Sequence, residues 1–117
     1  MKFLFILNDP PYGTERCYNG LRLAHALAKS APTSEIVVFL MADAVLCAKK
    51  GQKTPDGYYN VERMVKRVVV GRGRVILCGT CMEARGLADT DLVEGAARST
   101  MDALAAETIT ADKVLVF

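Results

Sequence analysis

The sequence lacks the marks of several common classes of enzyme. It has one histidine, His25, which falls in the middle of an apolar helical stretch and is better placed to pack than to act as a base. Ser-His-Asp hydrolysis is therefore poorly supported. The turn after the first apolar run reads NDPPYGTER rather than G-x-G-x-x-G, and its prolines remove amide donors that a phosphate would need. Dinucleotide binding at that turn is excluded.

Long apolar runs and blocks of like charge are also missing. No run approaches the roughly 20 residues that cross a membrane, and the N-terminal run is too short for a secretory signal. The formal net charge is +2, and the mild cluster Lys49, Lys50, Lys53 is typical of a solvated loop. We expect a cytoplasmic protein with reduced thiols, and neither a membrane nor a nucleic acid as a direct partner.

Enough apolar sequence is present for one core. Apolar residues make up 51% of the 117 residues, which predicts a single domain over 1–117. Buried strands are predicted at 2–7, 35–41, 74–78 and 111–117, a short edge strand within 90–96, and helices at 14–30, 43–47, 59–69 and 101–109. This alternation indicates an α/β fold, with a mostly parallel sheet of about five strands and helices on both faces.

Two helix starts are predicted from capping residues. Thr14 is expected to cap the first long helix, and Ser99 with Asp102 resembles a capping box before the last one.

Candidate site residues follow from the parallel sheet, because such sheets form sites outside the carboxyl ends of their strands. Three loops leave those ends, at 8–13, 41–43 and 78–81, and should meet at one edge. The candidate pocket residues on or beside these loops are Asn8, Tyr12, Gly13, Met41, Asp43, Gly79 and Arg85. For Tyr12 and Gly13 a simple backbone turn is an equal interpretation. Asp43 either caps the helix that follows it or faces the site.

The segment VILCGTCMEARG, residues 75–86, places Cys78 and Cys81 in the third loop. Backbone N–H groups at the start of a helical turn favour negative charge, so a thiolate there is stabilised and reactive. Gly79 leaves room for a partner sulfur, and Arg85 adds positive charge. We predict that Cys78 and Cys81 are the reactive pair. The alternative is that Cys78 merely ends a buried strand, since free cysteine is among the most buried residue types.

The remaining cysteines do not complete a metal site. Cys17 and Cys47 lie on predicted helices among alanines and leucines, which is typical of core or interface thiols. A structural zinc site needs four ligands, so we expect no metal and no cofactor. A thioredoxin-type enzyme would have a long helix after its cysteine pair, whereas Gly86 ends this one early. Simple dithiol–disulfide exchange stays open.

The chain resembles the DsrE/DsrF-like family, most closely its YchN-type branch. The segments that carry the resemblance run through nearly the whole chain: NDPPYGTE, VVFLMADAV, GQKTPDGYYN, LCGTCMEARGL and ADKVLVF. The resemblance implies a compact α/β domain that assembles as a homotrimer, or as a homohexamer of two stacked trimers. Some relatives are subunits of sulfur-relay complexes that act in sulfur oxidation or in the thiolation of transfer RNA.

Those relatives carry sulfur as a persulfide on one cysteine at the end of the third strand. That position corresponds to Cys78, with Arg85 and Gly86 matching downstream, whereas Cys81 fits only the YchN-type branch. The resemblance implies a sulfur carrier or sulfurtransferase-like protein that meets a sulfur donor protein and an acceptor protein. Three alternatives stay open: Cys81 as a resolving thiol, a dithiol redox protein, and a non-catalytic oligomeric binding protein.

Overall fold

The computed structural model describes residues 1–117 and is built around one five-stranded sheet. The strands are β1 (Lys2–Leu7), β2 (Glu35–Leu40), β3 (Arg74–Cys78), β4 (Ala96–Ser99) and β5 (Lys113–Val116). Their order is β4-β3-β2-β1-β5, and every neighbouring pair is parallel. The predicted α/β fold is confirmed, and the sheet is parallel throughout.

Four α-helices connect or cover the strands. They are α1 (Arg16–Ser30), α2 (Val61–Val70), α3 (Gly79–Ala84) and α4 (Met101–Thr110), with 3₁₀ helices at Ala42–Ala48 and Asp89–Asp91. The chain moves one way across the sheet from β1 to β4 and then returns to the far side of β1. Right-handed crossovers therefore place α4 on the opposite face from α1 and α2. None of these helices has both the length and the apolar character needed to span a membrane.

The two faces of the sheet are covered unequally, because alternate strand residues point to opposite sides. Towards α1 and α2 lies a cluster of 22 buried residues, in which Phe5 and Leu77 pack with Leu21. Towards α4 the buried cluster has four residues, Leu4, Val37, Phe39 and Leu104. Leu104 is the one buried residue of α4, so this face is thinly covered.

Both predicted helix caps are wrong by one residue. Glu15, in a left-handed conformation with φ 64°, occupies the N-cap of α1, so Thr14 lies outside the helix. Thr100 caps α4, because its hydroxyl accepts a hydrogen bond from the Ala103 N–H at 3.1 Å. Ser99 is instead the last residue of β4, where it pairs with Cys78.

Both edge strands also differ from expectation. The short edge strand is Ala96–Ser99 rather than 90–96, because Leu92 and Val93 are drawn into the core before the strand begins. The last strand, β5, pairs only with β1 and is not buried: the exposed fractions of Val114 and Val116 are 42% and 62%.

Candidate functional site

Cys78 ends β3 and occupies the N-cap position of α3. Its Sγ accepts a hydrogen bond from the backbone N–H of Cys81 at 3.4 Å, in the way that a serine or aspartate oxygen caps a helix. The side chain is partly exposed and its thiol is free. A thiolate at this position therefore meets both a backbone donor and an open surface.

Cys81 faces the loop that follows β2. Its Sγ accepts a hydrogen bond from the Ala42 N–H at 3.2 Å. Burial, and then the hydrogen bond that it shares with Cys78, raise the pKa of the Cys81 thiol. Cys81 therefore stays protonated over a wider pH range and offers its S–H to Cys78, which suits Cys78 as the nucleophile and Cys81 as its neighbour.

Asp43 and Arg85 join the second loop to the cysteine turn. Arg85 Nε donates to Asp43 Oδ1 at 2.9 Å, and a terminal Arg85 nitrogen donates to the Cys81 carbonyl at 3.1 Å. Asp43 does not cap the 3₁₀ helix, because that helix has no side-chain cap. Of the two interpretations of Asp43, the structure favours the one that faces the site, and its carboxylate compensates the charge of Arg85.

Met41 shares a face of the sheet with Cys78. Both side chains are partly buried against the cluster of Leu4, Val37, Phe39 and Leu104 beneath α4. The thioether of Met41 therefore belongs to the apolar surface on which the Cys78 sulfur rests.

The first loop lies farther from the cysteines. Because β2 separates β1 from β3, the ends of these two strands are about 10 Å apart at the usual strand spacing. Asn8 donates to the Phe117 carbonyl through its backbone N–H at 2.9 Å and its side-chain amide at 3.2 Å. The Tyr12 hydroxyl accepts from the Val61 N–H at 3.1 Å. These contacts tie the loop to the C-terminus and to α2.

Gly13 lies in an exposed turn of the same loop. Its φ of 109° is a backbone conformation that favours glycine. The structure thus brings the second and third loops into contact, and leaves the first as a neighbour two strands away.

Gly79 is buried against β4. A Cβ atom on Gly79 would lie 3.1 Å from Arg98 Cγ and 3.2 Å from the Ser99 carbonyl oxygen. The space beside this glycine is therefore filled by the chain's own strand rather than left open for a partner sulfur. Glycine is needed here because β4 packs closely against the cysteine turn.

Arg98 contacts the cysteine turn, although no sequence motif predicts it as a site residue. It forms ion pairs with Glu83 and Asp89, both at 3.1 Å, and contacts the Gly79 carbonyl at 3.4 Å. It thereby fastens the cysteine turn from the adjacent edge strand. Only the parallel register of β3 with β4 reveals this role, and the sequence carries no local signal for it.

Cys17 and Cys47 are fully buried, as expected of core thiols. They are also neighbours: a hydrogen bond from Cys47 lowers the pKa of Cys17, and the same contact, together with burial, raises the pKa of Cys47. The Cys17 thiol in turn donates to the Asp9 carbonyl at 2.9 Å. The sequence predicted their burial but not their contact, which joins two separate helices.

Several surface cavities lie away from Cys78 and Cys81. Five surface cavities have volumes from about 340 to about 520 Å³, and none of them is lined by Cys78 or Cys81. No group of three or more histidine, cysteine, aspartate or glutamate side chains is arranged to hold a metal ion. Cys78 and Cys81 are partly exposed and line none of these five cavities.

Comparison with known proteins gives consistent matches over the full length. The model of the DsrE/DsrF-like family matches residues 1–117. Protein YchN of Escherichia coli strain K12 is 39% identical over 116 residues, covering 99% of this chain and 98% of that protein. Protein MJ0989 of Methanocaldococcus jannaschii is 38% identical over 117 residues, covering all of both chains.

Solved structures agree with these matches. The crystal structure of the Escherichia coli YchN protein superposes with a TM-score of 0.95 at 38% identity, covering 100% of this chain and 99% of that one. Protein MTH1491 of Methanobacterium thermoautotrophicum superposes with a TM-score of 0.79 at 14% identity and 97% coverage of each chain, a likeness of fold alone.

Proposed function

The chain belongs to the DsrE/DsrF-like family, and on that premise we propose that it carries sulfur as a persulfide on Cys78. The family is linked to sulfur relay. The observation that carries the proposal is the position of the Cys78 sulfur, which is partly exposed at the end of β3 and accepts the Cys81 N–H. A nucleophilic sulfur needs this combination of access and a nearby donor.

Loading is a transfer of one sulfur atom between thiols. The Cys78 thiolate attacks the outer sulfur of a donor persulfide, R–S–SH. A new S–S bond forms on Cys78, the donor S–S bond breaks, and the donor leaves as the thiolate R–S⁻. Delivery reverses this step on an acceptor thiolate, so that the cycle needs no external oxidant or reductant.

Cys81 supports a second candidate function, because its thiol is hydrogen-bonded to Cys78. If the Cys81 thiolate attacks the inner sulfur of the Cys78 persulfide, a Cys78–Cys81 disulfide forms and HS⁻ leaves. The Cys81 sulfur is oxidised from thiolate to disulfide, the outer sulfur is reduced to sulfide, and the Cys78 sulfur keeps its oxidation state. Each further turnover then requires a thiol reductant to reopen the disulfide.

The proposed carrier works in an assembly and with partners. The α4 and β5 side of the chain exposes the apolar residues Met101, Ile109, Val114 and Val116, which supports a homotrimer or a homohexamer. The open cysteine turn suits docking of a sulfur donor protein and an acceptor protein. Because the chemistry needs free thiols, we place the protein in the cytoplasm, where thiols are kept reduced.

Intact-mass spectrometry of the reduced protein after incubation with a persulfide donor tests the proposal. Wild type should gain the mass of one sulfur atom, and a thiol reductant should remove it. Cys78→Ser should gain nothing, whereas the matched variant Cys81→Ser should load as wild type does or hold the sulfur longer. Cys17 and Cys47 are buried and should stay unmodified in every sample.

Other outcomes assign other functions. A loss of two hydrogens in wild type, absent from Cys81→Ser, would favour the dithiol redox protein. Loading that persists in Cys78→Ser would overturn Cys78 as the carrier. No mass change in any sample would leave a non-catalytic binding role as the better account.

A further inference from the structure

A groove runs between the outer surfaces of α1 and α2, away from the cysteine turn. It consists of two adjoining cavities, one of about 380 Å³ and one of about 340 Å³, which share His25 and Arg67. Both volumes fall in the range of about 300–1,000 Å³ that is usual for small-molecule sites. We call this feature the α1–α2 groove. Its lining includes no residue of the cysteine turn.

Aromatic rings form one end of the groove. Three of the four tyrosines of the chain line it, and Tyr18, Tyr59 and Tyr58 form a continuous stack with ring centroids 4.2 and 4.6 Å apart. Tyr12 packs against the same stack with its ring centroid 5.5 Å from that of Tyr59. The last ring, Tyr58, is 51% exposed. An exposed ring at the end of a fixed stack is a surface on which a further flat ring can lie.

Cationic side chains line the rest of the groove without acidic partners. They are Arg22, Lys29, Arg63 and Arg67. None of these four side chains forms an ion pair, because the ion pairs of the chain all involve other lysines and arginines. No aspartate or glutamate lines either cavity. Arg63 and Arg67 stand four residues apart on α2, a spacing at which like charges repel. An anion between them would remove that repulsion.

Contacts within the chain hold two side chains of the groove, His25 and Arg22, in position. His25 Nε2 lies 2.9 Å from the Met64 carbonyl oxygen and so joins α1 to α2. Burial lowers the pKa of His25, so the neutral imidazole donates this bond at neutral pH. Arg22 is held over the Tyr18 ring at 5.4 Å and donates to Asn19. A site whose walls are fixed before binding loses less entropy when the ligand arrives.

We propose that the α1–α2 groove binds a nucleotide, with the base stacked on Tyr58 and the phosphates held by Arg63 and Arg67. The combination of a free aromatic ring and unpaired arginines matches the two chemically different ends of such a ligand. A neutral aromatic compound would leave the arginines unpaired, and an inorganic anion would leave the ring uncovered. The proposal concerns a second site and does not depend on persulfide loading at Cys78.

Calorimetric titration of the full chain with ADP, adenosine and pyrophosphate tests this inference. ADP should bind saturably, and about tenfold or more tightly than either fragment, because it alone engages both ends of the groove. Arg67→Gln and Tyr58→Ala should each weaken ADP binding about tenfold or more, as expected for loss of a charge-assisted hydrogen bond or a stacked ring. Arg72→Gln is the matched control, since Arg72 is exposed, lies outside both cavities and should change binding by less than about twofold.

The single histidine provides a second measurement. His25 is the one imidazole of the chain, so its NMR signals are unambiguous, and ADP should shift them in wild type and in Arg72→Gln. Three results would overturn the proposal: no saturable ADP binding, equal affinity for pyrophosphate and ADP, or ADP affinity unchanged in Arg67→Gln. Circular dichroism of each variant separates a lost site from a lost fold.

Discussion

Cys78 and Cys81 belong to the same turn but rest on different parts of the molecule. Cys78 packs against the α4 side of the sheet, and Cys81 packs against the larger core on the α1 and α2 side. The raised pKa belongs to Cys81, which is held by the Ala42 N–H and hydrogen-bonded to Cys78. At the scale of single residues, this difference suits Cys78 to attack first and Cys81, which loses its proton less readily than an ordinary cysteine, to react second.

The raised pKa predicts how sulfide release depends on pH. If Cys81 resolves the Cys78 persulfide, its thiolate must form first, so release should accelerate about tenfold per pH unit and should still be rising at pH 9.0, the ordinary value above which the pKa of Cys81 lies. The measurement is sulfide released from persulfide-loaded wild type between neutral and alkaline pH. Cys81→Ser should release little sulfide throughout. A flat profile in wild type would contradict a resolving role for Cys81.

Two tyrosines of the same cluster predict opposite responses to loss of a hydroxyl. The Tyr12 hydroxyl joins Gln52 to the first N–H of α2, so Tyr12→Phe should lower the free energy of unfolding by about 1–2 kcal/mol. The Tyr59 hydroxyl is buried without a hydrogen-bond partner, so Tyr59→Phe should leave stability unchanged or raise it. Urea unfolding of both variants measures these changes in the free energy of unfolding. An equal loss of stability in the two variants would contradict the different roles assigned to the two hydroxyl groups.

At the scale of elements, α4 is held to the sheet by one buried apolar residue and by one charged residue. Only Leu104 of this helix is buried, while Glu107 binds Arg74 at 2.7 Å and also binds Lys2. The hydrogen bond from Arg74 is the main reason that the pKa of Glu107 is lowered. This carboxylate therefore links α4 to both β1 and β3.

Neutralising Glu107 should loosen α4. Glu107→Gln should cost about 1–3 kcal/mol of unfolding free energy, as for other hydrogen bonds to charged groups. Because the folded pKa lies below the ordinary 4.5, the stabilisation is complete above that pH and is lost as the pH falls through the folded value. Thermal unfolding of wild type and variant should therefore converge in acid.

Glu35→Gln is the matched control for that experiment. Glu35 contacts the same arginine at 2.8 Å but its side chain is 49% exposed, so its removal should cost less. A larger loss in Glu35→Gln than in Glu107→Gln would contradict the assigned role of α4.

At the scale of the whole molecule, the side formed by β5 and α4 has an open strand edge and exposed apolar side chains. Edge strand β5 has no neighbour beyond β1, and its Val116 is exposed together with Ile109 of α4, which is 83% exposed. An open strand edge beside exposed apolar side chains is typical of a surface that meets another chain. This side of the fold is therefore the expected contact between copies.

Sedimentation of surface variants tests that contact. Wild type should sediment as a trimer or a hexamer, and Val116→Lys should shift it to smaller species, since a buried lysine without a partner is costly. Val70→Lys is the control, because Val70 is 84% exposed but lies at the end of α2, on the other face. A wild-type monomer would contradict the proposed assembly, and dissociation caused by Val70→Lys alone would move the contact to α2.

Local patterns determined much of this protein in advance. The apolar runs predicted β1, β2 and β3 nearly to the residue, and three predicted helical segments, which are α1, the 3₁₀ helix Ala42–Ala48 and α2, cover the larger core in the predicted order. These elements have buried faces, so apolar residues recur in the sequence about every two residues in a half-buried strand and about every 3.6 residues in a helix. The parallel arrangement then brought Cys78, Asp43 and Arg85 to one edge, because alternating strands and helices permit few topologies.

The tertiary structure alone decided the details that join distant segments. The Arg98 contact with the cysteine turn, the Asp43–Arg85 pair, the buried Cys17–Cys47 contact and the gathering of the tyrosines all link residues far apart in sequence. The edge strands β4 and β5 were misplaced or misjudged for the same reason. Their exposure depends on sheet order, and a sequence pattern shows which residues are apolar but not which distant neighbour covers them.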